Sequence, residues 1–151
     1  PRSISYSPDG TVLALLGRGV NLLEVETGDI RWVFEPPESD MRHGMLAEFT
    51  VAFSPDGSFI ATGGNEEKIY ILETASGKVV NELESNYVIS NLVFSADGSQ
   101  IISGSCGENA GITIWLVYFN LSQPNSQCLF PQYLRYMFCF IMLNQHSNDF
   151  H

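Results

Sequence analysis

Through residue 116 the chain is built from short runs in which apolar and polar positions tend to alternate. Gly, Pro, Asp and Ser recur in the segments between them. A period of two over four to seven residues, carried by β-branched and bulky side chains, predicts half-buried strands. The pattern predicts first strands ending at Tyr6, Phe53 and Phe94. Return strands follow at VLALL (12–16), FIATG (59–63) and QIISG (100–104), and third strands at VNLLE (20–24), IYILE (69–73) and ITIWL (112–116). Fourth strands are expected at DIRWVFE (29–35) and KVVNELE (78–84).

The same order recurs. YSPDGTVLALLG, FSPDGSFIATGG and FSADGSQIISGS align on Ser7, Ser54 and Ser95, which lie 47 and 41 residues apart. Ile4, Val51 and Leu92 coincide three residues before the serine, and Leu23, Leu72 and Trp115 share one position in the third strand. In the first two copies proline presets the negative φ of a type I turn, and in all three Asp hydrogen-bonds within it and Gly takes positive φ so that the chain returns. Ala96 replaces the proline in the third copy, which loosens the turn without removing a side-chain hydrogen bond. Four antiparallel strands repeating every ~40–45 residues describe the blades of a β-propeller, an all-β architecture.

In these motifs the chain resembles the WD40 family of β-propellers over about residues 3–116. The hydrophobic-x-x-Phe-Ser-Pro-Asp-Gly run, the Ile-Ala-Thr-Gly-Gly second strand and the Ile-Thr-Ile-Trp third strand carry the likeness. The family's Trp-Asp pair is replaced by Leu23-Glu24, Leu72-Glu73 and Trp115-Leu116, and its Gly-His pair is reversed as His43-Gly44 or missing. The resemblance therefore implies that the buried His, Asp, Ser and Trp network of the family is lost here. SPDG recurs in other propellers too, including those resembling TolB.

Three repeats are expected, at about 3–35, 49–84 and 89–116, followed by a non-repeat tail at 117–151. A propeller closes with about four to eight blades, so three form an incomplete ring, and the chain reads as a piece of a longer propeller or a member of a complex. The third repeat shows no second Gly turn and no polar fourth strand. Within the tail, CLFPQYLRYMFCFIML (128–143) is interrupted by Pro131 and Arg135 and is shorter than the ~20 residues of a membrane helix. A packing helix over about Tyr133–Leu143 is expected, unless the tail is no partner of the propeller at all.

Charge narrows the partner class. The formal net charge is −10, all of it in residues 1–116, and only seven basic residues are present. Nonspecific nucleic-acid binding needs clustered Lys and Arg and is not expected. Cys106, Cys128 and Cys139 make neither an even framework nor a CxxC pair, which suits a reducing, intracellular and mainly cytoplasmic setting. No nucleophile elbow, HExxH or P-loop spacing occurs, so no catalytic, cofactor or metal residues are expected.

In a four-stranded meander the first-to-second and third-to-fourth turns share one edge. Here that edge is short and repetitive. The other edge carries the variable segments: EPPESDMRHGMLAE (35–48), NEEK (65–68) and CGENAG (106–111). Loops on a rigid scaffold are where binding residues concentrate. Met41, Arg42, His43, Asn65, Glu66, Glu67, Glu108 and Asn109 are the candidate partner-binding residues. The expected function is a noncatalytic protein-interaction scaffold. The alternative is the propeller portion of a larger enzyme, such as a propeller-gated hydrolase, with its active site elsewhere.

Overall fold

The computed structural model describes residues 3–37, 50–64, 68–85, 87–105 and 111–117, and the backbone of 134–136. The described residues form three four-stranded antiparallel sheets and no helix. The first holds β1 (Ser3–Tyr6), β2 (Val12–Leu16), β3 (Val20–Glu24) and β4 (Ile30–Phe34) in sequence order. The second holds β5 (Thr50–Phe53), β6 (Phe59–Gly63), β7 (Lys68–Glu73) and β8 (Val79–Glu84). In the third, β9 (Ile89–Phe94), β10 (Gln100–Ser105) and β11 (Gly111–Leu116) are completed by β12 (Leu134–Tyr136). The first eleven strands lie where the hydrophobic pattern put them.

The tail departs from expectation. Leu134–Tyr136 is a strand, not part of a helix, and pairs antiparallel with β11 through Ile112 opposite Tyr136 and Ile114 opposite Leu134. A short apolar run has no periodicity of its own to choose between helix and strand. The free hydrogen-bonding edge of β11 supplies the choice.

The burial pattern shows how the sheets stack. Strand β2 alternates, with Val12, Ala14 and Leu16 buried and Leu13 and Leu15 half-buried, so only one face of the first sheet is covered. Strand β7 is buried at four successive positions, Ile69 to Leu72, because the second sheet is covered on both faces. Its Ile60, Tyr70 and Leu72 pack with Val12, Ala14, Leu16, Val20 and Leu22 of the first sheet. Its Ala61, Ile69, Ile71 and Leu83 pack with Ile89, Leu92, Phe94, Ile101 and Trp115 of the third. The first strands β1, β5 and β9 touch in series, and the backbone N–H of Leu92 donates to Thr50 Oγ1 across that junction at 3.3 Å.

One side chain interlocks the first two sheets at their outer strands. Trp32 on β4 donates its indole N–H to the carbonyl of Thr74, 2.9 Å away. Its ring lies over the turn between β7 and β8, where a Cβ on Gly77 would stand 2.6 Å from Trp32 Cδ2. Gly77 has φ +71°, and its repeat equivalent Gly28 has φ +75° with open space around it.

Two stability outcomes follow from these contacts. Truncating the fully buried Ile71 to Ala should cost ~2–5 kcal/mol, and Phe53→Ala less, since Phe53 is only partly buried at the margin of its core; equal urea midpoints for both variants and parent would refute that packing. Gly28→Ala should cost only the ~1–3 kcal/mol of a strained φ. Gly77→Ala should add to that an overpacking penalty of ~1–3 kcal/mol, and matching thermal melts for the two would remove Trp32 from the contact.

Candidate functional site

The two edges of the blades are built differently. On the turn edge each Ser-Pro/Ala-Asp-Gly segment forms the same hydrogen-bonded clamp. In the second blade Ser54 Oγ accepts from the N–H of Phe59 at 2.9 Å and donates to Asp56 Oδ1 at 2.6 Å, and the N–H of Ser58 donates to the same carboxylate at 3.1 Å. In the first blade Ser7 and Asp9 make the equivalent bonds with Val12 and Thr11. In the third, Ser95 and Asp97 make them with Gln100 and Ser99. The Ala96 copy retains every one of these bonds, as the sequence suggested.

The clamp sets the charge state. The Ser7 hydroxyl, followed by the amide and hydroxyl of Thr11, lowers the Asp9 pKa to about 2. The Ser95 hydroxyl, then the amide and hydroxyl of Ser99, lowers Asp97 to about 2. Asp56 is lowered as well, first by Ser54 and then by the amide of Ser58. Carboxylates held this low are acceptors at neutral pH and poor proton-transfer bases.

Neighbouring clamps abut. Gly57 lies against Pro8, with 3.4 Å between the position of a Cβ and Pro8 Cδ, and Gly98 lies near Pro55 in the same way. Between the second and third clamps is an open cleft of about 350 Å³ lined by Ser54, Pro55, Asp56, Phe59, Ala96, Asp97 and Gly98. It offers two ionised carboxylates and an aromatic wall, which suits a cationic group. Sequence reasoning treated SPDG only as a turn and so passed over this cleft. The repetition of the motif around the edge was the signal that neighbouring aspartates would be drawn close.

All eight sequence-predicted binding residues, Met41, Arg42, His43, Asn65, Glu66, Glu67, Glu108 and Asn109, lie outside the described residues. Their flanks are described. The carbonyl of Gly64 accepts from the N–H of Ile89 at 3.0 Å, which ties the end of β6 to the start of β9. Ser105 Oγ and Gly111 bond each other in both directions at 3.2 Å, closing the base of the segment between β10 and β11. Ser85 Oγ donates to the carbonyl of Tyr87 and accepts from its N–H in the connector between the second and third blades. Gly19 has no room for a side chain, since a Cβ would meet the Phe34 carbonyl oxygen at 2.0 Å. Beside it, Leu16, Phe34, Pro36, Gly63 and Tyr70 line an apolar notch between the first two blades. Exposed Arg18 is at the same edge.

One part of the expected loss is corrected by the structure. Trp115 donates its indole N–H to Ser103 Oγ at 2.9 Å, both buried, so the Ser–Trp link of the family's network stands in the third blade. The equivalent pair in the second blade, Thr62 and Leu72, has no indole donor.

Three four-stranded meanders stacked face to face, with their first strands in series, are blades of a β-propeller whose ring is not closed. Residues 49–71 match the sequence model of the WD40 family, described as "WD domain, G-beta repeat". The chain is similar to an uncharacterized WD repeat-containing protein of Synechocystis sp., at 42% identity over 60 residues, covering 38% of this chain and 17% of that protein. It is also similar to the small ribosomal subunit protein RACK1z of Arabidopsis thaliana, at 39% identity over 66 residues, covering 44% of this chain and 19% of that one. Among solved structures, Kuenenia stuttgartiensis hydrazine synthase superposes with a TM-score of 0.66 at 19% identity, covering 77% of this chain and 32% of that one. The matched segments thus span less than a fifth of these two relatives. Among the described residues no helix is long and apolar enough to cross a membrane, which says nothing of membrane β-barrels.

The clamp aspartates have a testable pH signature. A carboxyl whose folded pKa lies below its ordinary 3.8 contributes stability that is full above that value and lost as pH falls through about 2. Replacing Asp9 and Asp97 together by Asn keeps an acceptor oxygen but removes the titration. Thermal melts of the double variant should therefore decline less between about pH 5 and pH 2 than those of the parent; parallel declines would mean that the clamps are not formed.

Proposed function

We propose that the chain acts as a noncatalytic protein-interaction scaffold, an intracellular WD40 propeller segment that presents its variable loops to a protein or peptide. The observation that carries this reading is the asymmetry of the two edges. One edge is a repeated set of tight hydrogen-bonded turns. The other leaves its variable segments spanning anchored ends such as Gly64 and the Ser105–Gly111 pair. Variable loops on a stiff frame give recognition at small entropic cost to the frame. RACK1z is by name a small ribosomal subunit protein, which supports a role within an assembly. Three cysteines without an even pairing fit a reducing compartment.

In this reading Met41, Arg42 and His43 supply apolar and cationic contacts of the kind enriched at interfaces, and Asn65, Glu66, Glu67, Glu108 and Asn109 supply polar and acidic ones. The chain works as part of a longer propeller or of a complex. Propeller blades also occur in proteins named as enzymes, hydrazine synthase among them, but fold does not carry function, and the clamp carboxylates are poorly suited to proton transfer.

Quantitative affinity capture separates the edges. Replacing Met41, Arg42 and His43 together by Ser should weaken the proteins held by the parent chain at least tenfold, or ~1.4 kcal/mol. Lys78→Ser on the turn edge should leave them unchanged. Undiminished capture by the triple variant would sink the assignment to this edge.

A further inference from the structure

The groove between the second and third clamps, about 350 Å³ in volume, has a wall of two kinds. Pro55, Phe59 and Ala96 make it apolar, and Asp56 and Asp97 make it anionic. Phe59 is half-buried and packs against the core shared by these two blades, so the apolar part is anchored from below. Val12 and Gln100 hold the equivalent position in the other blades, and only Phe59 brings an aromatic ring. The clamp bonds of each aspartate fall on one oxygen. Asp56 Oδ1 accepts from the Ser54 hydroxyl and the Ser58 amide, and Asp97 Oδ1 from the Ser95 hydroxyl and from the amide and hydroxyl of Ser99. Each carboxylate is thus held in place with its Oδ2 left outside the clamp. Among the described residues neither aspartate is in an ion pair.

We propose that this groove docks an arginine side chain of a basic peptide segment, its stem against Phe59 and Pro55 and its guanidinium shared between Asp56 and Asp97. Charge complementarity selects the occupant. Two carboxylates lining one groove with no cation beside them repel each other, and a bound cation removes that repulsion. The groove also asks for more than a point charge. A guanidinium is planar, carries five donors in a fixed fork, stacks on aromatic faces and is more weakly hydrated than an ammonium, and an alkyl stem gains from apolar cover on its way to a charged end. The serine hydroxyls fix both aspartates before anything binds, so their side-chain ordering adds no cost on docking. Both carboxyls are lowered from their ordinary value by those same hydroxyls, which keeps them charged in mild acid as well. The groove lies on the turn edge, and this inference does not depend on the assignment of the variable loops.

Fluorescence anisotropy of the full 151-residue chain with a labelled peptide of alternating arginine and glycine tests the assignment, in low salt where charge pairs are least screened. Replacing Asp56 and Asp97 together by Asn keeps the clamp acceptors and should weaken binding about tenfold. Replacing Glu26 and Asp29 by Gln and Asn removes the same charge from exposed positions in the turn between β3 and β4, and should weaken it less than about twofold. Ala96→Trp fills the groove from an exposed position and leaves both charges; it should match the loss of the aspartate pair, and it carries the test if circular dichroism shows that pair unfolded. A peptide with lysine in place of arginine should bind several-fold more weakly. Equal weakening by the two charge-removing pairs would mean that net charge alone attracts the peptide and would overturn the proposal. So would parental binding by the Ala96→Trp chain, or a lysine peptide held as tightly as the arginine one.

Discussion

A serine hydroxyl that accepts from one backbone amide while donating to a carboxylate two residues on is the fixed point of every blade. Ser7, Ser54 and Ser95 hold the first residue of the return strand and the turn aspartate at once. That double bond fixes the register of the first two strands, and register decides which side chains face which neighbour. A slip of one residue in β6 would turn Ile60 from the first blade to the third and expose Ala61 to the wrong seam. The blade-to-blade cores therefore depend on a polar contact at their rim. Because the aspartate accepts two or three bonds, the clamp also holds its charge, and structure and electrostatics are set by the same atoms.

What lies between the clamps is a problem of covering faces. A sheet with one neighbour alternates buried and half-buried residues, as β2 does. A strand inside a sheet with two is buried at successive positions, as Ile69 to Leu72 of β7 are. The second blade has a neighbouring sheet packed on each face, and it is where the family's sequence model matches. The bulges between Leu22 and Leu23 and between Ile71 and Leu72 sit at equivalent places before the third-to-fourth turn. They add local twist next to those turns, and Trp32 reaches over the turn of the second blade.

The hairpins were legible because their information is local: turn chemistry, period-two strands and a repeat that aligns them. The placement of β12 was not. Leu134–Tyr136 becomes a strand through the open edge of β11, and nothing in its own sequence carries that edge. The interlock of Trp32 with Gly77 was equally hidden, since Gly77 reads as an ordinary turn glycine until a residue 45 positions earlier is laid over it. The Ser103–Trp115 bond survives where whole-motif reasoning expected a loss, because a two-membered hydrogen bond needs neither the His nor the Asp of the larger network. The candidate binding loops could be located only by elimination, as the segments that do not repeat. The cleft between Asp56 and Asp97 arises from the spacing of blades, a quantity no single repeat contains.

The chain holds two tryptophans, and each belongs to a different seam. Trp32 bonds the Thr74 carbonyl across the first, and Trp115 is packed among the residues of the second with its indole on Ser103. Indole emission shifts to longer wavelength when water reaches the ring. Replacing either tryptophan by phenylalanine thus leaves a chain with one native optical probe, and the opening of each seam can be followed in isolation, in time as well as at equilibrium.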